Sequence, residues 1–277
     1  GVYLIARTNV VFKLAPSVLF FVAIVGAATA LLSAFTAMTQ YDIKRVLAYS
    51  TISQIGYMFL GLGVGAWTGA VFHFMTHAFF KALLFLGAGS VIYSLHHEHN
   101  MFKMGGLRKK LPITFWTYLI GAASLSALPL ITAGFYSKEM ILGAAWFCPG
   151  GGKILWVIGI FGALLTAFYS FRMIFLVFYG EAKGHVDHIP GWRIHLPLII
   201  LAVLSLLGGF VDLPSVLGHF KPFSHFVNTI LPPTEEHHGE GSVHVILLLV
   251  ASAISILGVL IAYVAYIKNP RIPEQIS

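Results

Sequence analysis

Residues 67–95 read WTGAVFHFMTHAFFKALLFLGAGSVIYSL. The stretch is apolar and long enough to cross a bilayer, for which about 20 residues suffice, yet it carries His73, His77 and Lys81. These fall at i, i+4 and i+8. At about 3.6 residues per turn that spacing puts all three on one helix face, one turn apart. Ionisable groups at membrane depth are energetically expensive, so they face a protein interior or a wet cavity. Two imidazoles and an amine stacked along the membrane normal predict a path for protons, because His titrates near neutral pH and a relay needs groups that both accept and release a proton. Steps of about 6 Å exceed direct hydrogen-bond reach, so water is expected to bridge them. The i, i+4 histidines also match a metal-binding pair. The sequence offers no intramembrane Cys and only Glu139 as a further carboxylate, so neither a metal nor a haem is expected.

The chain around this stretch has 277 residues, 58% of them hydrophobic and only 10% charged, where a soluble domain would be roughly a quarter charged. Apolar runs of membrane-spanning length, without period-2 alternation, predict an all-α polytopic membrane protein rather than a barrel. The formal charge of +7 comes from basic residues in loops between spans, where they set topology; no nucleic-acid partner is expected. A single cysteine, Cys148, excludes an internal disulfide and a four-cysteine iron–sulfur site within the chain. There is no initiator Met, and the opening GVYLIAR reads as the tail of a span already under way, so a fragment is expected.

Seven spans are predicted, at residues 16–40, 46–65, 67–95, 112–147, 154–180, 196–213 and 243–267. Pro16 suits a first helical turn, and Asp42 can cap the second span. The second span is polar on one side, with Ser50, Ser53, Gln54 and Tyr57, so that side should pack on protein. The run 112–147 would be about 54 Å long as a straight helix against a hydrocarbon core of about 30 Å. A break is therefore expected, at Ala127-Leu128-Pro129 with Gly134 just beyond. Lys138 and Glu139 follow it, and a discontinuous helix with adjacent charges recurs as a site in membrane transporters. Adjacent helix residues point about 100° apart, so the two need not pair. Arg172, inside the fifth span, is expected to snorkel to the interface.

Ten loop Lys and Arg residues lie on the side reached after the odd-numbered spans and four on the other, so the first side is expected to be cytoplasmic. The clusters His96–His99, His185–His188 and the linker bearing Glu235, Glu236, His237, His238 and Glu240 read as solvated loops rather than zinc sites. No phosphate loop, nucleophile elbow or dinucleotide fingerprint is found, so the chain is not expected to bind NADH or carry electrons.

The stretches DIKRVLAYSTISQIGYM (42–58), FHFMTHAFFKALLFL (72–86), HHEHNMFKMGGLRKKLP (96–112) and SALPLITAGFYSKEMIL (126–142) closely resemble the subunit L family of proton-pumping NADH:quinone oxidoreductase, respiratory complex I, whose mitochondrial counterpart is subunit 5. The likeness covers nearly all of residues 1–213. It implies a fold of two inverted five-helix repeats, each with one broken helix. This chain would hold the end of a preceding span and a loop (1–15), the second, proton-translocating repeat (16–180), and two further transmembrane helices with polar linkers (181–277). The first repeat and a long lateral helix would lie outside it. The resemblance further implies that His73, His77 and Lys81 are the central relay, that Lys138 is the distal proton-exit residue, and that Glu139 stands where relatives carry Asp or Glu. It implies no cofactor in this chain; NADH, FMN, iron–sulfur clusters and quinone would sit in partner subunits. The expected partners are other membrane subunits of the complex, especially the adjacent antiporter-like subunit, and the lipid of a bacterial plasma membrane or mitochondrial inner membrane. The alternatives are a subunit of a multisubunit cation/proton antiporter, a related family, and a structural membrane scaffold.

Overall fold

The computed structural model describes residues 1–213, 218, 220–233 and 241–268. Among these the regular structure is helical, apart from one isolated bridge between Asp42 and Asn100. Two short helices, α1 (Val2–Arg7) and α2 (Asn9–Lys13), lead into α3 (Pro16–Thr39), α4 (Ile43–Gly63) and α5 (Trp67–Ser94). Then come α6 (Pro112–Leu125), α7 (Ala133–Phe147), α8 (Gly152–Phe178), α9 (Trp192–Leu207), the short α10 (Pro222–Val227) and α11 (Gly241–Tyr263), which continues as a π-helical turn to Lys268. Pro16 opens α3 as predicted, since its fixed φ suits a first turn. Asp42 caps α4, its carboxylate accepting from the Lys44 amide at 2.7 Å and the Arg45 amide at 3.3 Å.

The stretch that carries the titratable stripe becomes the centre of the bundle. α5 packs against α4, α6, α7 and α9. α3 and α4 make the tightest pair because small residues let their backbones meet. Ala23, Gly26, Ala30, Ala34 and Ala37 line α3, and the Ser53 hydroxyl on α4 donates to the Ala30 carbonyl at 2.8 Å. A methyl at Gly26 would run into the backbone of Leu60, and one at Gly56 would sit 2.5 Å from the Ala30 amide. The polar side of α4 turns inward as predicted, with Ser50, Ser53, Gln54 and Tyr57 all 0% exposed.

Among the described residues, four helices are long and apolar enough to cross a membrane: α3, α5, α8 and α11 with its π-helical end. The other predicted spans behave differently. α4 is long enough, but its polar residues lower its hydropathy. The run 112–147 is broken, over residues 126–132, into the half-helices α6 and α7. The predicted span 196–213 is α9, which begins four residues earlier, passes through Pro197, and stops at Leu207. Its 16 residues reach about 24 Å, short of the hydrocarbon core. It ends where Gly208 and Gly209 allow close approach; a methyl at Gly209 would collide with Tyr136 of α7. Residues 234–240 of the linker, with Glu235, Glu236, His237, His238 and Glu240, and Arg271 from the charge count, lie outside the described residues.

The loops after α3, α5 and α8 gather at one end. The Gly106 amide donates to the Tyr179 carbonyl at 3.0 Å, the Asp187 amide to the Ser94 carbonyl at 3.2 Å, and the Lys183 ammonium to the Phe102 carbonyl at 3.2 Å. His96 pairs with Asp187, and His99 lies 3.5 Å from Asp42. The backbone amides of Asn100 and His99 donate to Glu98 and hold its carboxyl below the usual range. This is the end rich in Lys and Arg, the one that the charge count expects to face the cytoplasm.

Two outcomes follow from this packing. Gly26→Val should destabilise the protein by about 1–3 kcal/mol through overpacking at the α3–α4 crossing. Gly89→Ala, where a methyl meets open space, should leave the melting temperature in detergent unchanged or slightly raised. In a cysteine-free background, single cysteines at Lys110 and Lys153 should react with an impermeant maleimide from opposite membrane faces, Lys110 from the cytoplasmic one.

Candidate functional site

His73, His77 and Lys81 are buried on α5, at 0%, 8% and 5% exposure. Their stripe is as predicted, but the links between them run through neighbouring helices. The Lys81 ammonium donates to the Ser50 hydroxyl of α4 at 2.7 Å and to the Leu47 carbonyl at 3.2 Å. The Ser50 oxygen lies 2.7 Å from the Tyr169 hydroxyl of α8. One turn along α4, the Gln54 side chain sits beside Tyr169, and its Oε1 is 3.2 Å from His73 Nε2. The other nitrogen of His73, Nδ1, is 2.9 Å from the Ser137 hydroxyl of α7, which is in turn 2.8 Å from Thr76. Ser137 is the neighbour of Lys138. A buried polar chain thus runs from Lys81 through α4 and His73 to the broken helix.

His77 stands apart from it. Its ring centroid is 6.2 Å from that of His73 and 5.5 Å from Phe80, consistent with steps too long for direct hydrogen bonds. Its Nε2 and the Gln54 Nε2 are buried with no hydrogen-bond partner among the described residues. Buried polar atoms of this kind are ordinarily satisfied by ordered water, so they mark where water would join the chain.

The break is built to hold Lys138. α6 ends at Leu125 with carbonyls that have no intrahelical partner, at the negative end of its dipole. The Lys138 ammonium, 2% exposed, donates to the Leu125 carbonyl at 3.1 Å and lies 5.0 Å from the centroid of the Tyr57 ring. That ring is fixed by its hydroxyl, which donates to the Gly159 carbonyl at 2.5 Å. Ala127 and Leu130 take left-handed φ values of 54° and 68°, costly for residues with a Cβ and typical of functional sites. Thr132 and Tyr136 donate to the Leu128 and Leu130 carbonyls, each at 2.6 Å. Gly134 is required by close approach, since a methyl there would overlap the Ser124 carbonyl; its amide donates to the Ser124 hydroxyl at 3.1 Å.

Glu139, 8% exposed, faces away from Lys138 toward α11. Among the described residues the ion pairs all lie in the surface loops, so Lys81 and Lys138 are held by neutral oxygens and a ring face rather than by carboxylates. Arg172 does not snorkel to the headgroups. It is buried, its Nη1 donates to the Gln40 carbonyl at 2.9 Å, and its guanidinium lies 5.6 Å from the Phe102 ring centroid, so it closes the end of α3 inside the protein. No group of three or more His, Cys, Asp or Glu is gathered among the described residues.

Three contributors escaped the sequence reading. Thr76, at i+3 from His73, and Ser137, beside Lys138, carried a positional signal. Tyr169 carried none, because it meets Ser50 across 119 residues of chain.

A family model described as NADH:quinone oxidoreductase/Mrp antiporter, transmembrane, matches residues 1–166. The chain is 51% identical over 263 residues to NADH-quinone oxidoreductase subunit L of Escherichia coli (strain K12), covering 95% of this chain and 40% of the relative. It is 50% identical over 274 residues to subunit L of Pseudomonas aeruginosa, covering 98% and 42%. It therefore spans about two fifths of the length of the curated relatives it matches. Among solved structures, the Mrp complex from Dietzia sp. DQ12-45-1b aligns with a TM-score of 0.75 at 27% identity, over 100% of this chain and 30% of that one. The membrane-bound sulfane sulfur reductase, an archaeal respiratory membrane complex, aligns with a TM-score of 0.64 at 32% identity, over 69% and 32%. The apolar helices and the bacterial relatives place the chain as a multi-pass integral protein of the bacterial plasma membrane. With more than half of its residues matched by the family model, the chain belongs to the NADH:quinone oxidoreductase/Mrp antiporter transmembrane family.

Proposed function

We propose that this chain is part of subunit L of a proton-pumping NADH:quinone oxidoreductase, and that His73, His77, Lys81, Lys138 and Glu139 move protons across the membrane while NADH oxidation and quinone reduction occur in other subunits. One observation carries this reading: a buried chain of polar side chains runs from Lys81 to Ser137, the neighbour of Lys138, at a broken helix. A scaffold has no use for two buried ammonium groups without carboxylate partners, because charge at membrane depth is expensive. In this reading α3 to α8, with α6 and α7 as one broken helix, form the second five-helix repeat, and α9 and α11 are added spans. The NADH, FMN, iron–sulfur clusters and quinone belong to partner subunits, and the nearest partner is the adjacent antiporter-like subunit.

The transfer follows from electrostatics. An opposite charge near a lysine favours its protonated form and a like charge disfavours it. A positive charge brought beside Lys81 in response to quinone reduction would drive its proton off. Ser50, Tyr169, His73 and Ser137, with water at His77 and Gln54, would carry that proton toward Lys138. His73 suits the middle position because an imidazole accepts at one nitrogen and releases from the other.

The second reading is a cation/proton antiporter subunit that uses the same helices. The Mrp complex alignment favours it, with a TM-score of 0.75, but identity there is 27% against 51% for subunit L of Escherichia coli.

Lys138→Ala in the assembled complex should slow the transfer step by roughly 100-fold, as loss of a proton-transfer group does, and lower the protons moved per NADH. Unchanged stoichiometry in an intact complex would remove Lys138 from the path. Proton movement by the unaltered complex should require NADH and be indifferent to sodium; exchange driven by a sodium gradient without NADH would select the antiporter reading.

A further inference from the structure

Glu139, Gly143 and Phe147 fall at i, i+4 and i+8 on α7 and form a face distinct from that of Lys138. This face meets the start of α11. A methyl placed on Gly143 would have two neighbours within 4 Å outside its own helix backbone: Glu139 Oε1 at 3.8 Å and His244 Nδ1 at 3.9 Å. The missing side chain thus leaves a small space bordered by a buried carboxyl and an imidazole. Phe147 packs on the His244 ring, with centroids 4.8 Å apart, and holds it over that space. Glu139 is 8% exposed, whereas His244 is half-buried, four residues into α11, at the end of the bundle poor in Lys and Arg. The two groups therefore form a sequence from interior to outer surface.

We infer that His244 of α11 is the proton-release group of this site, taking protons from Glu139 across the space that Gly143 leaves open. The inference rests on the proton-transfer reading above and extends it to a helix that the repeat does not include. The Glu139 carboxyl gives its proton to a water in that space, the water passes one to His244 Nδ1, and the imidazole releases the proton on Nε2 to the outer solvent. Glu139 returns as carboxylate, ready for the next proton from the Lys138 side. Imidazole suits this position because both ring nitrogens exchange protons near neutral pH. A glycine suits position 143 because any side chain would fill the passage.

The test measures NADH-driven proton translocation by the assembled complex in liposomes, with His244→Asn, His244→Asp, Gly143→Ala and Lys138→Ala compared at equal assembly. A methyl at position 143 makes only ordinary van der Waals contacts, so Gly143→Ala folds without displacing its neighbours. The expected result is a drop of roughly tenfold in translocation for His244→Asn and Gly143→Ala, with His244→Asp keeping most of the rate because aspartate still exchanges protons. Normal translocation in His244→Asn and Gly143→Ala, with Lys138→Ala impaired, would overturn this inference and leave the proton path standing. Equal loss in His244→Asn and His244→Asp with Gly143→Ala unaffected would also overturn it, by reducing His244 to a packing partner of Phe147. Normal translocation in all four variants would overturn the proton-transfer reading itself.

Discussion

The hydrogen bond from Lys138 to the carbonyl of Leu125 is the contact on which the site depends. A helix cannot stop inside an apolar layer without leaving backbone groups that no lipid can satisfy. Here α6 stops at Leu125, whose carbonyl accepts from Lys138 on the other side of the break, while the Leu128 and Leu130 carbonyls within the break accept from Thr132 and Tyr136. Pro129 contributes no donor of its own. An unmet buried acceptor costs about 1–3 kcal/mol, so Lys138 seals the break, and in the proposed function it also presents a movable proton. In the proposed mechanism these two roles are coupled. Any change in what Lys138 binds is felt first by the backbone at the break, where Ala127 and Leu130 already occupy costly conformations.

The same constraint organises the rest of the bundle. Polar side chains at this depth must face one another, and the helices meet accordingly. α4 turns Ser50, Gln54 and Tyr57 toward α5, α7 and α8, and its opposite side presses on the small residues of α3. Both faces of α4 are therefore committed. This explains how a helix with so polar a face sits inside the bundle. Exposed apolar residues fall instead on helices such as α3, α8, α9 and α11, among them Phe21, Leu32, Val157, Ile200, Ile246 and Leu249, where lipid or a neighbouring subunit would meet them.

Features governed by local rules were legible in the sequence. Helical spacing placed His73, His77 and Lys81 on one buried face; Pro129 and the excess length of its run located the break; Asp42 announced its cap. Features that depend on distant contacts were not. Nothing near Tyr169 marks it as the partner of Ser50, and nothing near Arg172 shows that Gln40 would satisfy it inside the protein. The limits of α9 were misjudged because Pro197 is accommodated within the helix and because Tyr136 needs the room that Gly209 provides. By spacing alone the stripe on α5 is a ladder in its own right. In the folded chain it is completed by α4, α7 and α8, whose contributions only three-dimensional packing brings together.

Whether the buried chain beginning at Lys81 carries protons is decided by NADH-driven proton pumping in membranes whose complex carries Lys81→Met, with assembly followed in parallel. Methionine keeps much of the side-chain volume and removes the exchangeable proton. Pumping should fall while the complex remains intact. Undiminished pumping by an intact complex would contradict proton transfer through Lys81, and would make the charged face of α5 a matter of packing alone.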